Sequence, residues 1–159
     1  MGFNVIERAK ACVDGALPML SAMCEKMGLV ELIDCKLGNR DNRIVTTGNA
    51  IKAMMMNIVS GRKPLYRLER FYENTDTEKL FGQDVAPEHL TDDTMARVLD
   101  DLYDIGPKKI MTELAMLTIN RFEIPVTSIH AETTSKNVYG EYAGCAEDEE
   151  LLPDKAWLK

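Results

Sequence analysis

The chain has 159 residues and a formal net charge of −7, and 45% of its residues are hydrophobic and 28% charged. These proportions predict a globular domain with its own core and exclude a chain too polar to form one. No run approaches the roughly 18 apolar residues of a membrane span, and the N-terminus lacks a charged-then-apolar signal pattern. We therefore expect a cytoplasmic protein without a membrane partner.

The cysteine and histidine pattern argues against a metal site. Four cysteines include no Cys-x-x-Cys pair, and the only two histidines, His89 and His130, are far apart. A zinc site is therefore not expected, and no metal ligand is predicted. Cys12, Cys24 and Cys35 each lie in a helical pattern, where we expect buried free thiols.

Helical spacing of apolar residues begins at Gly15, and the first two predicted helices are followed by glycines. Gly28 is placed to end the first helix, and Gly38 closes the second, which covers 29–37. Thr46 or Thr47 is the predicted cap of the third helix, whose buried stripe comprises Ala50, Ile51, Met54, Met55, Ile58 and Val59.

The segment from Ser60 to Glu73 contains the predicted centre of the molecule. Gly61 suits a sharp turn over 60–63, and Pro64 suits the first position of a following helix. The apolar stripe of that helix is Leu65, Leu68, Phe71 and Tyr72. The opposite, solvent-facing side carries Tyr66, Arg67 and Arg70.

Two helices, a turn of about four residues that contains glycine, and a basic second helix are the components of a helix-turn-helix. Two ordinary core helices also meet across such turns, so this pattern leaves both interpretations open. If the segment binds DNA, the predicted phosphate contacts are Arg62, Lys63, Arg67 and Arg70, and Tyr66 is the predicted contact to a base edge.

The net charge of −7 argues against a dedicated nucleic-acid binder, but the charge is unevenly distributed along the chain. Residues 36–70, here called the basic segment, carry eight basic residues against two acidic ones, a net charge of +6 in a chain of −7. Clustered positive charge is what phosphate binding requires. Such a run can also be an ordinary solvated face. The basic residues are Lys36, Arg40, Arg43, Lys52, Arg62, Lys63, Arg67 and Arg70.

Helical turns and two further helices are predicted after the basic segment. Residues 76–81, ended by Gly82, and residues 87–90 each predict one helical turn. Thr91, Asp92 or Asp93 is the predicted cap of the next helix. Gly106 and Pro107 then separate it from a last helix that reaches about Phe122.

The pattern changes at Pro125. Residues 126–134 are rich in β-branched side chains and predict a strand, and residues 137–142 can begin a second one. The predicted fold is therefore mainly α, a multi-helix domain over 1–124 followed by a short C-terminal β-hairpin or strand remnant within 125–159. An isolated hairpin is marginal in water, and its open edges predict pairing with a second copy as a homodimer.

An ordered succession of short motifs carries a family resemblance over about residues 15–142. Through these motifs the chain resembles the N-terminal part of a DDE-type insertion-sequence transposase of the IS-four-like superfamily, in the branch whose catalytic core follows a helical domain of unknown function. The motifs are Ala16-Leu17-Pro18, Gly28-Leu29, Ser60-Gly61-Arg62, Pro64-Leu65-Tyr66-Arg67-Leu68-Glu69, Thr77-Glu78-Lys79-Leu80-Phe81-Gly82, Asp92-Asp93-Thr94, Arg97-Val98-Leu99-Asp100, Glu132-Thr133-Thr134-Ser135 and Val138-Tyr139-Gly140-Glu141-Tyr142.

The resemblance implies a protein that cuts and rejoins DNA with Mg²⁺ held by three acidic ligands in a core similar to ribonuclease H. Glu132 occupies the place of the first acid, where the family has Asp, and the other two ligands are absent. Residues 125–159 are then expected to be the truncated start of that core with an acidic tail, Glu132 an inactive catalytic remnant, and the chain free of cofactor.

Two functions follow as expectations. The first is the DNA-binding or assembly domain of a transposase, catalytically incomplete in this chain. The alternative is a helical self-association module that does not bind DNA.

Overall fold

A computed structural model describes residues 14–38, 43–82 and 84–128. The chain divides into two compact units, Met1–Val126 and Thr127–Lys159, and every described helix lies in the first. In chain order the helices are α1 (Leu17–Met27), α2 (Leu29–Leu37), α3 (Thr47–Ser60), α4 (Leu68–Tyr72), α5 (Thr77–Phe81), α6 (Asp92–Ile105) and α7 (Pro107–Arg121), with a 3₁₀ turn at Pro87–His89 between α5 and α6. The predicted mainly helical fold is confirmed.

Local signals in the sequence set most helix ends. The Thr46 side chain accepts a hydrogen bond from Asn49 N at 3.2 Å, and Thr91 accepts one from Thr94 N at 3.2 Å. Both satisfy a backbone N–H that has no partner within its helix. Gly28 ends α1 in the left-handed conformation, and Gly106 separates α6 from α7. These predicted boundaries are confirmed.

Helix α3 is the centre of the core and packs on α1, α2 and α6. Its close approach to α2 depends on Gly48, where an added Cβ would lie 2.7 Å from the backbone oxygen of Val30. No side chain fits there without moving the backbone of α2. The same glycine donates its N–H to a carboxylate oxygen of Asp34, so the two helices are joined by a polar contact as well.

The predicted buried stripe of α3 is wrong at its C-terminal end. Ile58 is 52% exposed and Val59 is 67% exposed, whereas the neighbouring Asn57 is completely buried. Asn57 lies seven residues after the buried Ala50, which is the helical spacing of one face. The buried stripe therefore ends in a polar side chain, and an assignment by hydrophobicity alone misses it.

The predicted helix start at Pro64 is also wrong. Residues 61–67 form no helix, and α4 begins only at Leu68 and has five residues. Arg67 has φ 66°, a left-handed conformation, so an α-helix that began at Pro64 could not run through it. The four-residue turn of a helix-turn-helix is therefore replaced by a seven-residue connection.

Two further expectations concern exposure and the C-terminal residues. Cys24 is buried, and burial raises the pKa of its thiol, but Cys35 is exposed because it lies on the outer face of α2. Cys12 lies outside the described residues. So do the predicted strands, apart from 126–128, which form no strand. None of the described helices is long and apolar enough to cross a membrane.

Candidate nucleic-acid interface

The connection between α3 and α4 is held by one buried residue, Asn57, through both its backbone and its side chain. The backbone oxygen of Asn57 accepts hydrogen bonds from Gly61 N at 3.0 Å and Arg62 N at 2.8 Å. Its side-chain amide donates to the Lys63 carbonyl at 2.7 Å, and its Oδ1 accepts from Lys63 N at 3.1 Å. Because both backbone groups of Lys63 are bonded to Asn57, the chain is held away from helical geometry at this residue.

A shallow groove of 500 Å³ lies along this connection and the start of α4. It contains three of the basic residues named above and the predicted base contact. Arg62 is exposed but does not line it. We call this groove, lined by Lys63, Pro64, Tyr66, Arg67, Arg70 and Phe71, the basic groove.

The cations at this groove have no acidic partner among the residues that the structure describes. In the part of the chain that the structure describes, no ion pair includes Arg62, Lys63, Arg67 or Arg70. All four side chains are exposed. Positive charge that is not neutralised within the fold remains available to an anionic ligand.

Arg67 orders the exposed ring of Tyr66. Its guanidinium carbon lies 4.9 Å from the centre of the Tyr66 ring, and its Nη2 donates to the Tyr66 hydroxyl at 3.1 Å. A cation over an aromatic face and a hydrogen bond to the same side chain restrict both groups. Tyr66 nevertheless remains 62% exposed.

Backbone conformation at the two ends of the connection is unusual. Arg62 has φ 46° and Arg67 has φ 66°, both in the left-handed region that favours glycine. Each costs roughly 1–2 kcal/mol relative to an ordinary conformation. This backbone geometry favours glycine over arginine. A function of the two arginine side chains would explain why arginine is present despite the cost.

The described cations in the first half of the basic segment, unlike those at the groove, form ion pairs. Lys36 pairs with Glu113 at 2.9 Å, and Arg43 pairs with Asp101 at 3.0 Å. Arg40 lies outside the described residues. Both described pairs therefore neutralise a cation of this half with an acid elsewhere in the fold.

Lys52 is the most extreme case, since it is only 2% exposed. Its ammonium donates to the Leu80 carbonyl at 2.6 Å and to Glu25 at 3.1 Å, and lies 5.8 Å from the centre of the Phe81 ring. A buried ammonium requires such partners, because leaving it unpaired would cost several kcal/mol. Lys52 also lines a cavity of 340 Å³ between α1, α2, α3 and α5.

Sequence analysis missed two contributors to the site. Asn57 gives no hydrophobic signal because it is polar, although its place at the C-terminal end of the buried face indicates that it is buried. Phe71 was assigned to the core stripe, and the structure shows it half-buried with one side lining the basic groove. Its ring also packs edge-on against Tyr72, with centroids 4.7 Å apart.

Glu132, which the resemblance predicts to be a catalytic remnant, lies outside the described residues. Among the residues that are described, no group of three or more His, Cys, Asp or Glu side chains could hold a metal ion.

Comparison with known proteins gives one match. A family model described as "Domain of unknown function (DUF4277)" covers residues 12–116, which is more than half of the chain. The chain belongs to this family. The DUF4277 match includes every residue of the basic groove and Asn57, and it ends before Glu132. No curated protein and no solved structure matches the chain.

Proposed function

We propose that the basic groove and the adjacent Arg62 bind the phosphate backbone of DNA, and that the chain is the DNA-binding or assembly domain of a transposase-like protein without catalytic capacity of its own. The observation that carries the proposal is that Lys63, Arg67 and Arg70 line one groove and have no carboxylate partner among the described residues. The resemblance to DDE-type transposases supports DNA as the polyanion.

The expected binding is weak and strongly dependent on salt. With about four phosphates neutralised, the logarithm of the affinity for duplex DNA should fall with a slope of about −3.6 against the logarithm of salt concentration. The affinity should then drop roughly 100-fold between 50 and 200 mM salt. The acidic remainder of the chain opposes nonspecific binding elsewhere, since its charge repels phosphate.

Fluorescence anisotropy with a labelled random-sequence duplex tests the proposal. The double variant Arg67→Gln, Arg70→Gln should bind more weakly and reduce the salt slope by about two units. The matched control is Lys26→Gln, Lys109→Gln, which removes the same charge from exposed positions on α1 and α7. No binding at 50 mM salt, or equal losses in the two double variants, would refute the proposal.

A second candidate is self-association through an apolar groove between α1 and α3. This groove is lined only by Leu20, Met23, Cys24, Met27, Met55, Met56 and Val59. A uniformly apolar surface is complementary to a second copy of itself, and methionines adapt easily to such contacts. If it is the interface, light scattering should show a concentration-dependent dimer that Val59→Lys abolishes and Asn120→Lys, at an exposed position on α7 outside this groove, does not. A strict monomer at high concentration would exclude it.

A further inference from the structure

The basic groove contains more than phosphate binding needs. Its lining combines three cations with two aromatic rings and a proline ring. Cations alone are sufficient to hold a phosphate backbone. Exposed aromatic rings beside cations are instead the combination by which proteins bind single-stranded nucleic acid, because rings stack on bases.

The connection offers no element that could enter a duplex groove. Helix α4 has five residues and is therefore about 7.5 Å long. Its surface of roughly one and a half turns is further reduced because Leu68 and Tyr72 are buried in the core. Base edges inside an intact duplex are thus out of reach of the ordinary recognition-helix arrangement.

Of the two aromatic rings, only Tyr66 is free to stack on a ligand. Phe71 is half-buried and its ring meets Tyr72 edge-on at an interplanar angle of 87°. Tyr66 is 62% exposed, and none of the aromatic pairs in the described residues includes it. Since the Arg67 guanidinium lies over one face of the Tyr66 ring, the opposite face is the one that a base can cover.

We propose that Tyr66 is a stacking platform for one unpaired base, and that the basic groove therefore prefers single-stranded or frayed nucleic acid to intact duplex. This inference rests on the proposed nucleic-acid function. A base on the open face would complete a stack of base, phenol and guanidinium, in which the Arg67 cation strengthens the contact. Lys63 and Arg70 then contact the phosphates on either side of that base.

The test compares three labelled ligands at 50 mM salt by anisotropy: a single-stranded 12-mer of thymidines, the same backbone with all bases removed, and a 12-base-pair duplex. The intact protein should bind the thymidine strand about tenfold more tightly than the abasic strand. Tyr66→Ala should remove that tenfold advantage, so that the thymidine and abasic strands bind with similar affinity. Tyr66→Phe keeps the ring and should retain most of the advantage.

A spectroscopic readout separates stacking from a general loss of structure. A 2-aminopurine placed in the strand should be quenched on binding to the intact protein and to Tyr66→Phe, and should not be quenched by Tyr66→Ala. Tyr103→Ala is the matched control, because Tyr103 is 74% exposed on α6 and lies outside the groove. It should leave all three affinities unchanged.

The outcomes distinguish this inference from the proposed function. If all three ligands bind with equal affinity in the intact protein, or if Tyr66→Ala weakens them equally, the stacking platform is wrong while phosphate binding stands. If no ligand binds at 50 mM salt, both proposals fail. The platform is supported if Tyr66→Ala loses both the preference for the thymidine strand and the 2-aminopurine quenching while Tyr66→Phe and Tyr103→Ala keep them.

Discussion

The two halves of the basic segment carry similar numbers of cations, and the fold uses them in opposite ways. Lys36, Arg43 and Lys52 form ion pairs with acids on helices elsewhere in the fold, and Lys52 is buried although its partner Glu25 is exposed. Lys63, Arg67 and Arg70 pair with no acid in the described part of the chain and line a groove open to solvent. Positive charge counted along a sequence is therefore a mixture of structural and available charge, and only the structure separates them.

The largest expected effect is on stability and comes from the first half. Lys52→Ala removes a buried stem and its bonds to Leu80 and Glu25, and should lower the free energy of unfolding by about 3 kcal/mol. Urea denaturation measures it. Lys36→Ala, which breaks a half-exposed pair, should cost less than about 1 kcal/mol.

The same two variants sharpen the comparison through DNA binding. Both should bind duplex DNA within twofold of the intact protein wherever they are folded, because their charges are already neutralised within the fold. A loss as large as that of Arg67→Gln, Arg70→Gln would show that the division of the basic segment into two halves is wrong.

Next in size is the link between the core and the groove. Asn57→Ala removes two hydrogen bonds to Lys63 and should lower the free energy of unfolding by about 1–2 kcal/mol. It should also weaken DNA binding several-fold, because the cations lose their fixed positions. Asn120→Ala, at an exposed position on α7, is the control and should change neither quantity. Unaltered binding in a folded Asn57→Ala protein would argue against a preorganised groove.

The buried thiol of Cys24 and the buried hydroxyl of Tyr72 predict a smaller effect, a loss of stability at alkaline pH. Burial raises the pKa of the Cys24 thiol above its ordinary 9.0 and raises the pKa of the Tyr72 hydroxyl, which donates to the Ala53 carbonyl. The folded state thus holds these protons more tightly than the unfolded state does. Their contribution to stability is complete below pH 9 and is lost as the pH rises above it.

Thermal melts between pH 7 and 10.5 measure this loss. It amounts to about 1.4 kcal/mol per pH unit for each group that is deprotonated in the unfolded state and still protonated in the folded state. Tyr72→Phe should flatten the alkaline end of the profile, whereas Tyr103→Phe, at an exposed position on α6, should not. A profile of the intact protein that is level to pH 10.5 would contradict the prediction.

The smallest expected effect has the opposite sign. Arg62→Gly relieves a left-handed backbone but increases the freedom of the unfolded chain, so it should raise the free energy of unfolding by only about 0.5 kcal/mol. It should weaken duplex binding a few-fold. Arg97→Gly, within α6, should instead destabilise the protein by about 1 kcal/mol. Destabilisation by Arg62→Gly would show that this arginine is kept for the fold.

The sequence predicted the features of this fold that depend on neighbouring residues. The caps at Thr46 and Thr91 and the breaks at Gly28 and Gly106 are local, so their signals are complete within a few positions. The helix predicted to begin at Pro64 does not form there, although its apolar residues have helical spacing. Its backbone is bonded instead to Asn57, a competition that hydrophobic periodicity does not record.

For the candidate site, composition identified the residues and could not sort them. Arg67 and Arg70 were predicted to be exposed and are, but Lys52 was counted with them and is buried. Its partners Glu25 and Leu80 are 27 and 28 residues away in the chain, a separation over which pattern analysis gives no pairing. Only the tertiary contacts therefore show which cations are unpaired and exposed to a ligand.

The left-handed backbone at Arg62 and Arg67 makes a library selection informative. When variants are selected for folding alone, these two positions should drift toward glycine and asparagine, which adopt that conformation at little cost. When the same library is selected for retention on an immobilised oligonucleotide, arginine should persist at both. The gap between the two residue distributions would measure, at each position, how strongly ligand binding opposes the preference of the backbone.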